Sequence, residues 1–238
     1  MAALTLSMVV RAGIIGSPHD FSQESWNINA ADQHTVCGVC HTPHHADPVL
    51  GPLWNHTSSG LGFTMYANGT APGANVKFTP AAQPNASSLA CLSCHDGTMA
   101  VNSYGVGGIQ GIQGGTAMMI TNSANLTKNL THTHPISFTY DANLCSLDQW
   151  LFNPDTTYVT PPASGGGAFV SLVGAPNAMT INGFLLNGNH MVECSSCHDV
   201  HNQIGSPFDI INNPRLVKIV GVDAQNHGSL LCRSCHNK

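Results

Sequence analysis

The sequence predicts a loop-rich chain with little regular secondary structure, held in shape by something other than its own side-chain packing. Three observations predict this. Of 238 residues only 8% are Asp, Glu, Lys or Arg, against about 25% in ordinary globular domains. Gly (24) and Pro (14) are plentiful while aromatics are 6%, which gives poor helix and strand propensity and little bulky material for a core. Against this poverty stand 14 His and 9 Cys. Eight of the cysteines fall in four identical frames: Cys37-Gly38-Val39-Cys40-His41, Cys91-Leu92-Ser93-Cys94-His95, Cys194-Ser195-Ser196-Cys197-His198 and Cys232-Arg233-Ser234-Cys235-His236.

Charge and composition exclude several classes. Lys and Arg number 7 against 12 Asp and Glu, a net charge of −5, so the chain is no basic nucleic-acid binder and has no polybasic patch for an anionic membrane. With 42% hydrophobic residues it is not disordered by composition. The Cys-x-x-Cys-His frame is the attachment signature of c-type haem. Two thiols about one helical turn apart form thioethers to the two vinyl groups on one porphyrin edge, and the next His lies under the iron. Random placement at this composition gives roughly 0.02 such frames, so four are not accidental. Structural zinc can use Cys-x-x-Cys pairs but needs no His after every second Cys. Four short disulfide loops, each followed by His, are equally foreign to redox motifs. The fold class expected is therefore a multihaem cytochrome c. Short helices at the haem motifs and a few short strands wrap round a stacked chain of four haem c. The haems are apolar plates that nucleate the burial these side chains cannot supply.

The elements follow in order. Residues 1–12 read as the remnant of a secretory signal, with a short apolar run ending at Val10-Arg11-Ala12. Residues 13–238 read as one tetrahaem unit with lobes at about 13–130 and 131–238, joined by the haem chain rather than separable. The frames start at 37, 91, 194 and 232, and the long central gap carries turn signals such as Pro161-Pro162 and Gly165-Gly166-Gly167. Strand-like stretches are short: 136–140, 169–173 and 216–222. A short helix follows Asp141 as its N-cap, with Leu144, Leu147 and Leu151 on one face. No apolar run approaches the roughly 18 residues of a membrane-spanning helix. Thioether attachment places the chain on the oxidising side of a membrane. The ninth cysteine, Cys145, belongs to no frame; it reads as a small buried apolar residue or, less simply, as a thiol for an intermolecular disulfide.

His41, His95, His198 and His236 are the expected proximal iron ligands, which leaves His19, His34, His44, His45, His56, His132, His134, His190, His201 and His227. That surplus favours a second His on every iron over the alternative, Met. Saturated irons transfer electrons; they do not bind substrate. His44 and His201 each lie three residues past a proximal His, where Cβ atoms are only about 5–6 Å apart. Neither can reach round its own haem, so each points to another. The fourth frame ends two residues before the last residue. Its iron must find a distal ligand far upstream or in another molecule, and a neighbour's His44 would make a head-to-tail contact that leads to an open filament.

The strings Ser17-Pro18-His19-Asp20-Phe21-Ser22, Cys37–His44, Pro52-Leu53-Trp54-Asn55, Cys94-His95-Asp96-Gly97-Thr98, His134-Pro135-Ile136-Ser137-Phe138 and Cys194–His201 resemble the multihaem cytochromes of metal-reducing bacteria. More narrowly, they resemble the tetrahaem, filament-forming extracellular cytochromes of the outer-membrane cytochrome E type. The resemblance runs from His19 to His236. It implies bis-His haems stacked into a wire, subunits that polymerise, and one His per subunit that ligates a neighbour's haem. By motif position His44 is that donor, and His19, His134 and His201 are internal distal ligands. His34, His45, His190 and His227 are rivals, whereas His56 and His132 read as plain polar contacts.

The function expected is electron transfer without enzymatic chemistry, through an exported filament of identical subunits at the cell surface or beyond it, to external electron acceptors. The alternative is a monomeric periplasmic tetrahaem shuttle. Shuttles use charged docking patches for fast encounter, and this chain has few charges to build one. A haem enzyme needs an open iron with acid–base groups beside it, which surplus His argues against.

Overall fold

The computed structural model describes residues 14–27, 36–68, 75–106, 109–160, 169–171, 179–201, 216–219 and 229–237. The expected signal remnant, His34, His227, and positions 172–173 and 220–222 of two strand-like stretches lie outside the described residues.

Among the described residues the longest helix is α1, Ala86–His95, and it carries the second frame. It starts directly after Pro84 and Asn85 and stops at Gly97, whose φ of 72° is the left-handed turn that ends a helix without strain only in glycine. A hairpin follows, β1 (Ser103–Val106) against β2 (Ile109–Ile112), antiparallel with Ser103 opposite Ile112. Next come β3, Phe138–Thr139, and α2, Ala142–Leu147, whose Asp141 carboxylate accepts the Leu144 N–H at 2.9 Å. Strand β4 (Tyr158–Thr160) is the centre of a three-stranded antiparallel sheet, flanked by β5 (Phe169–Ser171) and β6 (Met179–Thr180). Thr180 caps the one-turn α3, Ile181–Phe184. Strand β7, Met191–Val192, returns to pair with β3. Two further helices are single turns at frames: α4, Cys194–Cys197, and α5, Leu230–Arg233.

Two sequence expectations need correction. The face of Leu144, Leu147 and Leu151 does not exist as one helical stripe. The helix ends at Leu147, because Asp148 turns extended (φ −118°, ψ 94°). Leu144 is buried, Leu147 is 64% exposed, and Leu151 pairs with His236 in an isolated bridge. The expected strand at 136–140 shrinks to two residues, since Ser137 sits at a φ of 59° and breaks the extended run.

Among the described residues, apolar burial is divided among three clusters. The largest gathers Phe138, Tyr140, Leu144, Val159, Ile181, Phe184, Leu185, Leu186, Val192 and Ile219. Phe63, Met65, Leu92 and Leu130 form a second, and Trp26, Val39 and Tyr104 a third. The small clusters each include a residue from inside a frame, Leu92 and Val39. Phe78 stacks on Phe138 with ring centroids 4.1 Å apart, so the large cluster also takes material from the first half of the chain. Among the described residues, no helix is long and apolar enough to cross a membrane.

Candidate functional site

Each frame folds as one helical turn. In the first, the His41 N–H reaches the Cys37 carbonyl at 2.8 Å; in the third, His198 N–H reaches Cys194 O at 3.0 Å; in the fourth, His236 N–H reaches Cys232 O at 2.9 Å. The second frame lies inside α1. A turn sets both thiols on one side with the His beyond them, as two bonds to one porphyrin edge require.

The four turns meet in sequence order. The Cys40 and Cys94 thiols lie near each other, and α1 packs on α4 with the Cys91 and Cys194 thiols as neighbours. Cys197 neighbours Cys232 and Cys235. First meets second, second meets third, third meets fourth. Burial pushes the thiols of Cys40 and Cys197 up to about 11 and those of Cys94 and Cys235 up to about 12. The Cys91 thiol rises because it is hydrogen-bonded to Cys194. Thiols held in the neutral form make poor nucleophiles. Cys145 stands apart: it packs against the large cluster and donates to the Phe152 carbonyl at 3.2 Å.

The histidines cross between frames. His201 stacks on His41 with ring centroids 6.0 Å apart and planes at 21°. His19 faces His95 at 6.0 Å and 47°. His134 faces His236 at 6.2 Å and 71°. Two imidazole nitrogens each about 2 Å from a shared metal put their ring centroids about 6 Å apart when the rings oppose. The second nitrogens are also arranged for ligation. Nδ1 of His41 donates to Pro52 O at 3.0 Å, Nδ1 of His95 to Ala124 O at 2.8 Å, and Nδ1 of His134 to Pro135 O at 2.8 Å. A proton fixed on Nδ1 by a carbonyl leaves the Nε2 lone pair for a metal. Burial, with His95, His198 and His201 nearby, lowers His19 to about 4, so its ring is the neutral, lone-pair-bearing form at neutral pH.

These residues fit haem c on three counts: paired thiols on a turn, opposed imidazoles, and donors short of acceptors. Among the described residues, three buried nitrogens lack a partner: His19 Nδ1, Trp26 Nε1 and Trp54 Nε1. Two of them belong to side chains packed on frame histidines, since Trp54 lies edge-on to His41 at 6.1 Å. Haem propionates are acceptors of the kind that these donors need. Among the described residues, no group of three or more His, Cys, Asp or Glu converges as an all-protein metal site. Opposed pairs, unlike such a cluster, suit an iron that takes its other ligands from a porphyrin.

The other histidines are placed differently. His134 faces His236 from within the same chain, at the frame whose distal partner the sequence leaves open. His44 and His45 are exposed, His45 at a φ of 60°. His190 Nε2 lies 2.8 Å from the Asp155 carboxylate. His56 is buried with Nδ1 on Thr57 O at 3.0 Å and Nε2 on Ala100 O at 2.9 Å. His132 is exposed in a short turn. The sequence reading missed the carbonyls of Pro52, Ala124 and Pro135, because backbone acceptors leave no residue-type signal. It also missed Glu193, although that residue directly precedes a frame.

No protein-family model matches the chain, and no curated protein matches it.

Proposed function

We propose that the chain is an electron-transfer protein of the multihaem c-type class, with haem joined to Cys37 and Cys40, Cys91 and Cys94, Cys194 and Cys197, and Cys232 and Cys235. More particularly, it is a tetrahaem subunit of an exported filament that passes electrons along its length to external acceptors. The observation that carries the class is the set of three opposed histidine pairs about 6 Å apart, each joining a frame His to one distant in sequence. Bound haem supplies a one-electron iron couple. The chain's residues do the rest: carbonyls fix the imidazole tautomers, thiols hold the porphyrin edge, and meeting of the frames in sequence order keeps successive carriers adjacent.

The test of the class is an intact mass and an absorption spectrum after expression with a haem-attachment system. Four added haems with a low-spin spectrum are expected. A chain that takes up none, or whose irons are all high-spin, overturns the reading. The filament rests on the resemblance and on the exposure of His44. His44→Ala is expected to keep its haems and lose polymerisation by negative-stain microscopy. A wild type dispersed as monomers under every assembly condition favours the shuttle instead.

A further inference from the structure

Charged side chains are scarce in this chain, and three of them are buried among the described residues: Asp96, Glu193 and Lys218 at 2%, 5% and 4% exposure. A buried charge is expensive unless hydrogen-bonded, so its position is informative. All three adjoin frames. Asp96 follows His95, Glu193 precedes Cys194, and the Lys218 N–H donates to the Cys197 carbonyl at 2.8 Å.

Glu193 sits where the second and third frames meet. Its carboxylate accepts from Asn85 Nδ2 at 2.6 Å, from the Ser137 hydroxyl at 2.9 Å and from the Ser88 hydroxyl. The hydroxyl directions are fixed from behind. Ser137 Oγ accepts the Asn85 N–H at 2.9 Å, and Ser88 Oγ accepts the Cys194 N–H at 3.2 Å. Both hydroxyls therefore donate forward, and every group around Glu193 is a donor, as only a charged carboxylate requires. Among the described residues no cation pairs with it. Ser137 takes up a φ of 59° to be there, a conformation that costs a non-glycine residue about 1 kcal/mol.

Lys218 sits beside the third frame, and Phe184 and Ile219 next to it belong to the cluster on which Leu230, Leu231 and Cys235 at the fourth frame pack. Its ammonium donates to Phe184 O at 3.0 Å and lies 5.7 Å over the Phe184 ring. Asp199 and Cys197 are the ionisable groups near it.

A negative charge held near an iron favours its oxidised form, and a positive charge the reduced form; low local dielectric strengthens both effects. We propose that Glu193 and Lys218 are opposed positioning residues. The carboxylate lowers the reduction potentials of the haems at the second and third frames where they adjoin. The ammonium raises those at the third and fourth frames. An electron on the chain then comes to rest toward the fourth frame. This rests on the haem reading above.

The experiment compares redox titrations, followed by haem absorbance, of the wild type, Glu193→Gln and Lys218→Met, each first shown by mass to carry four haems. Glu193→Gln is expected to move part of the titration curve to higher potential, and Lys218→Met to move part of it to lower potential. Lys218→Arg is expected to leave the curve in place. A purely structural role for the two residues would loosen both variants alike and give shifts of one sign. Shifts absent, reversed or of one sign in four-haem proteins overturn the assignment. Should one variant fail to bind four haems, the sign of the other decides. A wild type without haem sinks the haem reading itself; a four-haem wild type with unmoved variants sinks only this inference.

Discussion

His56 and His19 are both histidines whose pKa burial lowers, yet their surroundings give them different uses. Both nitrogens of the His56 ring face backbone carbonyls, those of Thr57, Ala100 and Val101, so neither nitrogen is open to a metal. His19 has its Nδ1 buried without an acceptor and its ring against His95. His56→Gln is therefore expected to keep four haems while losing about 1 kcal/mol from broken carbonyl contacts, by urea denaturation at pH 7. The pH dependence has a definite sign. In the folded chain His56 titrates below its ordinary 6.5, so below pH 6.5 the unfolded chain takes up a proton that the folded one refuses. The stability tied to His56 is full above pH 6.5 and declines as pH falls, by at most about 1.4 kcal/mol per pH unit. Urea midpoints at pH 7 and pH 5 should fall less in His56→Gln than in the wild type. An equal fall would mean that the ring is already protonated in the folded chain.

At the scale of elements, the loop after α1 shows how a glycine acts on a distant ligand. Gly97 has a φ of 72°, and a Cβ there would meet the Asn125 side chain at 2.2 Å. Asn125 braces its own loop by bonds to Ile120 O at 3.1 Å and Thr127 N at 2.9 Å, and that loop presents Ala124 O to His95 Nδ1. Gly97→Ala is expected to destabilise the chain by about 1–3 kcal/mol, from left-handed strain and overpacking together, and to perturb the spectrum of one haem. An unchanged denaturation midpoint would show that the loop yields freely. Elements of this kind were only partly legible in the sequence. The frame turns and the Asp141 cap are local chemistry, and local chemistry reads directly. The hairpin of β1 and β2 was missed because both strands contain glycine and lie in a glycine-rich run, which looks like loop. The pairing of β3 with β7, and the sheet centred on β4, depend on partners far apart in sequence, and two-residue strands carry no period to read. The pairing of His201 with His41 and of His134 with His236 has the same origin. Spacing argued that His201 must leave its own frame, but only the fold selects where it goes.

At the scale of the whole molecule, the division of apolar burial decides what state the chain can reach without its cofactor. Two of the three clusters hold only four and three buried residues. Each is assembled around a residue of a frame, Leu92 or Val39, and among the described residues no helix exceeds the ten residues of α1. Clusters this small cannot offset the backbone entropy of the long loops between them, roughly 1–2 kcal/mol for each ordered residue. Apolar plates fixed at the four frames would join the clusters into one buried interior and tie the loops at both ends, so cofactor attachment and folding should be one cooperative event. A chain with all eight frame cysteines replaced by serine tests this. For 238 residues a compact fold has a radius of gyration of about 18 Å and an unfolded chain about 53 Å. Small-angle scattering of the serine variant is expected to give a value well above the first and moving toward the second, with no sharp thermal transition. The haem-loaded chain in dispersed form is expected near 18 Å with a sharp one. A serine variant that stays near 18 Å and melts sharply would mean that the side-chain clusters suffice, and the poverty of core and charge with which the sequence opens would then need another explanation.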